Sequence, residues 1–183
     1  MNLLILGIVI FFSIHLVPIS PLKNILISRL GENKYKGLFS LIALVGLLII
    51  IYGFSSADFY LIWDPLTYSK EIALALMPIS IVLLAAANMQ TNIKRFIKNP
   101  MLIGILIWSI VHLIANGDLR SIILFGSFGV YAIIDIIFSK KISTTNDTAN
   151  YTLTKDIIVV IIGLLVYAIT VYFHRYIAGV VIF

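Results

Sequence analysis

The chain reads as an all-α integral membrane protein, a bundle of about six transmembrane helices forming one domain over residues 1–183. Three observations predict this. Of the 183 residues, 61% are hydrophobic and 11% are charged, whereas a soluble domain carries about a quarter charged residues. Six stretches approach the roughly 20 mostly apolar residues that a bilayer-spanning helix needs. The basic residues gather in the connections between those stretches.

The six predicted spans are Leu3–Pro18, Gly37–Phe54, Glu71–Asn88, Pro100–Asn116, Ser121–Phe138 and Asp156–Phe173. Several are at the short end, which predicts little tilt or extension into the interface. Pro78 should kink the third helix. The opening "MNLLILGIVIFFSIHLVP" lacks a basic start and a small-residue cleavage site, so it reads as a retained first helix rather than a signal peptide.

The first connection holds Lys23, Arg29, Lys34 and Lys36, the third Lys94, Arg95 and Lys98, and the fifth Lys140, Lys141 and Lys155. These are ten of the thirteen Lys and Arg. The positive-inside rule then sets both termini outside the cytoplasm. The net charge of +5 is thus a matter of topology and not of nucleic-acid binding. "NIKRFIK" is a basic segment suited to anionic headgroups. The fifth connection is the most polar stretch and is expected to be mobile. In the second, Tyr60, Trp63 and Tyr68 suit an aromatic belt. "NGD" at Asn116–Asp118 predicts a helix cap and tight turn, with Gly117 left-handed.

Polar groups inside a span must be satisfied within the protein, so they are where chemistry would sit. The chain has no cysteine, which excludes disulfides and thiolate ligands. Its three histidines, His15, His112 and His174, all fall in or at the edge of predicted helices. A single membrane histidine is as often a helix-to-helix hydrogen bond as a ligand. Three in one small chain point toward metal ligation. A zinc site wants three or four ligands, whereas two histidines from different helices suit a haem.

Residues four and eight apart share a helix face. His112 shares its face with Trp108 and Gly104, and His15 shares its face with Phe11 and Gly7. Glycine would let a flat macrocycle approach, or equally a neighbouring helix. Depth favours pairing His112 with His174, because His15 and His112 should differ by about 5–10 Å in height. Asp135, close to Lys140 and Lys141 in sequence, reads as an interfacial anchor. Asn88 and Asn92 read as the end of the third helix and the start of a turn.

The strings "FFSIHLVPISPLK", "RLGENKYKGLFSLIALVGL" and "AAANMQTNIKRFIKNPMLIGILIWSIVHLIANGDLRSIILFGSFGVYAIID" recur in order over most of residues 1–137. They resemble the NnrU family of bacterial membrane proteins, and "FHRYIAGV" resembles that family's ending. The family is linked genetically with nitrite and nitric oxide reduction. It is similar to the plant 15-cis-zeta-carotene isomerase, a membrane enzyme whose haem b iron is held by histidines and whose redox state governs isomerisation of a polyene. The resemblance implies haem b here, ligated by His15 and His112, with His174 in reserve and Gly7, Phe11, Gly104 and Trp108 around the cofactor. It also implies a bacterial inner-membrane location. Two departures stand out: Ser109 occupies the place of a cysteine three residues before the isomerase's second ligand, and Asn99 that of a histidine frequent in the family.

Two readings follow from the resemblance. One is a haem protein isomerising a lipophilic polyene in membrane lipid, fed by an electron donor. The other is a haem-based sensor or accessory protein of nitric oxide chemistry. A membrane methyltransferase is a third class, but only Lys98-Asn99-Pro100 stands for its "R-H-P" string and no acidic pair follows near the C-terminus. A transporter would need paired charges or a polar stripe within the spans.

Overall fold

The computed structural model describes residues 1–139 and 150–179, which places Lys140, Lys141 and most of the polar fifth connection outside the described residues. Among the described residues eight α-helices follow in order: α1 (Asn2–Leu16), α2 (Leu22–Leu30), α3 (Glu32–Ser55), α4 (Ser69–Ala87), α5 (Ile93–Phe96), α6 (Pro100–Ala115), α7 (Leu119–Ser139) and α8 (Leu153–Ala178), with a 3₁₀ turn at Val17–Ile19. Among the described residues, five helices are long and apolar enough to cross a bilayer. The protein is therefore an all-α, multi-pass membrane protein. The predicted fourth span is the short one. At 16 residues, α6 extends about 24 Å, against a hydrocarbon core of about 30 Å. Its end is fixed by Asn116, whose extended backbone stops the helix while its side-chain amide donates to the His112 carbonyl at 2.9 Å.

The chain folds as two compact units. The first combines Met1–Asp64 with the segment from Gly117 through α7. Here α1 and α3 pack antiparallel, and small residues let their backbones touch. A Cβ on Gly53 would stand 2.4 Å from the Leu4 nitrogen, one on Gly7 2.6 Å from the Ile50 nitrogen, and one on Gly46 2.9 Å from the Phe11 nitrogen. These three pairs keep one register, as expected where small residues replace the hydrophobic effect as the means of helix association in lipid. Leu4, Ile8 and Ile50 form the core, with Phe11, Phe12, Phe54, Ile123 and Leu124 around them.

Between Pro18 and Gly37 the sequence reading expected only a connection. The structure has α2 and the first turn of α3 there, separated by Gly31 at φ 79°. Positive φ suits glycine, and it breaks the helix between α2 and α3, which pack against each other.

The "NGD" turn differs from expectation. Gly117 does not have positive φ; Gly31 and Gly179 are the described glycines that do. Gly117 is needed for closeness instead. A Cβ there would stand 1.6 Å from the Trp63 carbonyl oxygen. Its own carbonyl accepts from the amides of Ile62 at 2.8 Å and Trp63 at 3.2 Å, beside an isolated Leu61–Asp118 bridge. Asp118 then accepts from the Ser121 amide at 3.1 Å at the start of α7. Arg120 donates to the Ala57 carbonyl at 3.2 Å, with its guanidinium 5.0 Å from the Phe54 ring centre.

The second unit combines Pro65–Asn116 with α8. Helix α4 packs against both α6 and α8. Glycines again mark the contacts: a Cβ on Gly104 would meet the Ser80 carbonyl at 2.9 Å, and one on Gly163 the Val82 Cα at 2.7 Å. The buried Ser80 hydroxyl donates to the Gly104 carbonyl at 2.8 Å. Asn88 and Asn92 were expected to close α4 and open a turn. Asn88 does cap it, donating to the Leu84 carbonyl at 3.2 Å. Asn92 does more: its backbone and side-chain nitrogens donate to Asp156 at 2.8 and 2.7 Å, and its side chain pairs with both backbone groups of Tyr151. Buried Thr91 also donates to Asp156, so this polar knot ties the α4–α6 connection to the start of α8.

Candidate functional site

His15 lies in the last turn of α1, half-buried. Its Nδ1 is 2.6 Å from the Phe11 carbonyl oxygen one turn back. A carbonyl can only accept, so Nδ1 carries the proton and, in the neutral ring, Nε2 holds the lone pair. Phe11 stacks on the imidazole at 4.0 Å, and Phe39 and Tyr131 present edges to it at 5.2 and 5.9 Å. The imidazole therefore sits in an aromatic cage contributed by α1, α3 and α7.

His112 repeats the arrangement near the end of α6. Its Nδ1 is 2.8 Å from the Trp108 carbonyl, which fixes the same tautomer, and its ring lies 5.1 Å from the Trp108 ring. His174, half-buried on α8, lies within electrostatic range of His112 in the same unit. His15 belongs to the other unit.

Gly7 and Gly104 are accounted for without a macrocycle. The space a side chain would take at Gly7 is filled by α3, and at Gly104 by α4. Of the two uses weighed for these glycines, close helix packing is what the neighbours explain, because each faces backbone atoms at contact distance.

Asp135, expected to anchor the interface, is turned inward instead of toward the surface. It is buried, and it accepts a hydrogen bond from the Tyr131 hydroxyl at 3.1 Å. That hydroxyl is also 3.4 Å from the His15 carbonyl oxygen. The pair is a one-turn, i and i+4 spacing within α7, a signal present in the sequence but masked by the nearby lysines. Tyr35 was missed altogether. It is 7% exposed, and its hydroxyl has no hydrogen-bond partner among the described residues.

The donor chemistry fits a haem. Two imidazoles with Nδ1 held by a backbone carbonyl offer Nε2 as a neutral donor, the usual arrangement of a metal-binding histidine. Among the described residues no three His, Asp or Glu side chains gather to hold a bare ion; a haem iron asks for one or two axial ligands.

Comparison with known families matches residues 3–182 to the family described as NnrU protein. No curated protein and no solved structure matches the chain. Since the match runs over nearly the full length, from the first turn of α1 to beyond α8, the chain belongs to the NnrU family.

Proposed function

We propose that this membrane protein binds haem b, with His15 and His112 as the iron's ligands, in the cytoplasmic membrane of a bacterium with both termini outside the cytoplasm. The observation that carries the reading is the shared tautomer: each histidine donates Nδ1–H to the carbonyl four residues earlier, which puts the lone pair of the neutral ring on Nε2, the usual metal-ligating nitrogen. Bound haem would supply one-electron redox chemistry and a Lewis acid. Phe11, Phe39 and Trp108 would orient the imidazoles and keep water from them. The substrate class in this reading is a lipophilic polyene, isomerised about a double bond, with the electron donor a separate protein or quinol.

A second ligand pair has its own support. His112 and His174 share one unit and lie within electrostatic range, and depth along the sequence favours them. The same haem could equally serve a sensor or accessory role in nitrite and nitric oxide metabolism, without turnover.

One experiment sorts these. Absorption spectra of detergent-purified wild type, oxidised and dithionite-reduced, are compared with His15→Ala, His112→Ala and His174→Ala. A sharp reduced α-band lost in the first two and kept in the third supports the proposed pair. Loss in His112→Ala and His174→Ala, with His15→Ala intact, moves the ligation to the second pair. A wild type with no Soret band after expression with ample haem refutes haem binding.

A further inference from the structure

Tyr35 continues, past the end of α1, the stripe of α3 that faces α1. Tyr35, Phe39, Gly46, Ile50 and Gly53 recur at spacings of three, four and seven, and all but Phe39 are buried. The α1–α3 register set by Leu4–Gly53, Gly7–Ile50 and Phe11–Gly46 continues to bring His15 opposite Ile42. Tyr35 follows two turns further, about 10 Å along the axis. A ring contact links the two sites: Phe39 lies 5.2 Å from His15 and 6.4 Å from Tyr35.

A hydroxyl buried without a partner is a net cost to the fold, because its hydrogen bonds to water are lost and not replaced. Phenylalanine would fill the same space without that cost. The surroundings indicate the chemistry that would match it. Lys34 and Lys36 flank Tyr35 in sequence, and Lys23 and Arg29 lie on α2, which packs on α3. Against these four cations stands Glu32, already paired with Lys36 at 2.7 Å. The local excess of positive charge favours an acid group.

We infer that the Tyr35 hydroxyl donates a hydrogen bond to a carboxylate of the ligand that His15 holds. This rests on the haem reading, in which the carboxylate is a propionate of the macrocycle. Tyr35 would then be a positioning residue: it fixes the rotation of the ligand about the iron–histidine axis and leaves iron ligation to the imidazoles.

The test uses the full chain, purified without haem and loaded with haem b or with its propionate dimethyl ester. Transfer to an excess of haem-free globin gives the rate of haem loss, and a thermal melt gives the stability of the unloaded protein. For haem b, Tyr35→Phe is expected to lose haem about tenfold faster, a difference of about 1.4 kcal/mol. The unloaded variant should melt no lower than wild type. With the dimethyl ester, whose neutral carbonyl is a weaker acceptor than a carboxylate, the difference between wild type and Tyr35→Phe should shrink to well under tenfold. Equal haem b loss from both proteins, with a higher melting temperature for Tyr35→Phe, would show an unsatisfied packing group and overturn the inference alone. An acceleration as large for the ester as for haem b would trace the effect to packing and also overturn it. A wild type that takes up no haem would overturn the functional reading and the inference with it.

Discussion

Gly53 and Leu4 bring α3 and α1 into backbone contact: a Cβ on Gly53 would lie 2.4 Å from the Leu4 nitrogen and 2.7 Å from its Cα. No rotamer change relieves such a contact, because both partners are main chain. Gly53→Ala should therefore push the helices apart and loosen the core of Leu4, Ile8 and Ile50. The expected loss is about 1–3 kcal/mol, the usual range for overpacking, read as a lower melting temperature in detergent. Gly126→Ala is the matched control, since a Cβ there meets nothing within 4 Å. It should be neutral or gain up to about 1 kcal/mol of helix propensity. Equal melting of the two variants would rule out a backbone contact.

Gly117→Ala should be more damaging. The added Cβ would stand 1.6 Å from the Trp63 carbonyl oxygen, so the hydrogen bonds from Ile62 and Trp63 to Gly117 must break. A loss of about 3 kcal/mol is expected, with a changed Trp fluorescence as Trp63 loses its backbone contacts to Gly117. Trp108 contributes to the same signal, so the experiment is run in a Trp108→Phe background. An unchanged spectrum and melting temperature would contradict the close approach.

Tyr131 and Asp135 should be energetically coupled. Tyr131→Phe removes a donor from a buried carboxyl group, and Asp135→Ala removes the acceptor. The double-mutant cycle should return a coupling of about 0.5–1.5 kcal/mol, the net worth of one hydrogen bond. Strict additivity would show that the 3.1 Å contact contributes nothing.

Much of this protein was legible in its sequence because the bilayer imposes a simple rule. A chain in hydrocarbon must satisfy its own backbone, so long apolar runs become helices. The six runs proved to be helices for that reason, although α6 fell short of a full span. The i and i+4 face of each histidine was also legible, since helix geometry alone brings Phe11 to His15 and Trp108 to His112. What neighbouring helices do to a residue was not. The sequence could not distinguish a glycine that admits a ligand from one that admits another helix; Gly7 and Gly104 were resolved only by the positions of Ile50 and Ser80. It presented Asp135 beside lysines, whereas packing buries it against Tyr131. Nothing in it set Tyr35 apart from the other eight tyrosines, whereas packing makes its hydroxyl a buried group without a partner among the described residues. Local patterns fix what one helix is and which of its residues share a face. Which face meets which neighbour depends on contacts between residues far apart in the chain, and those exist only once the helices have packed.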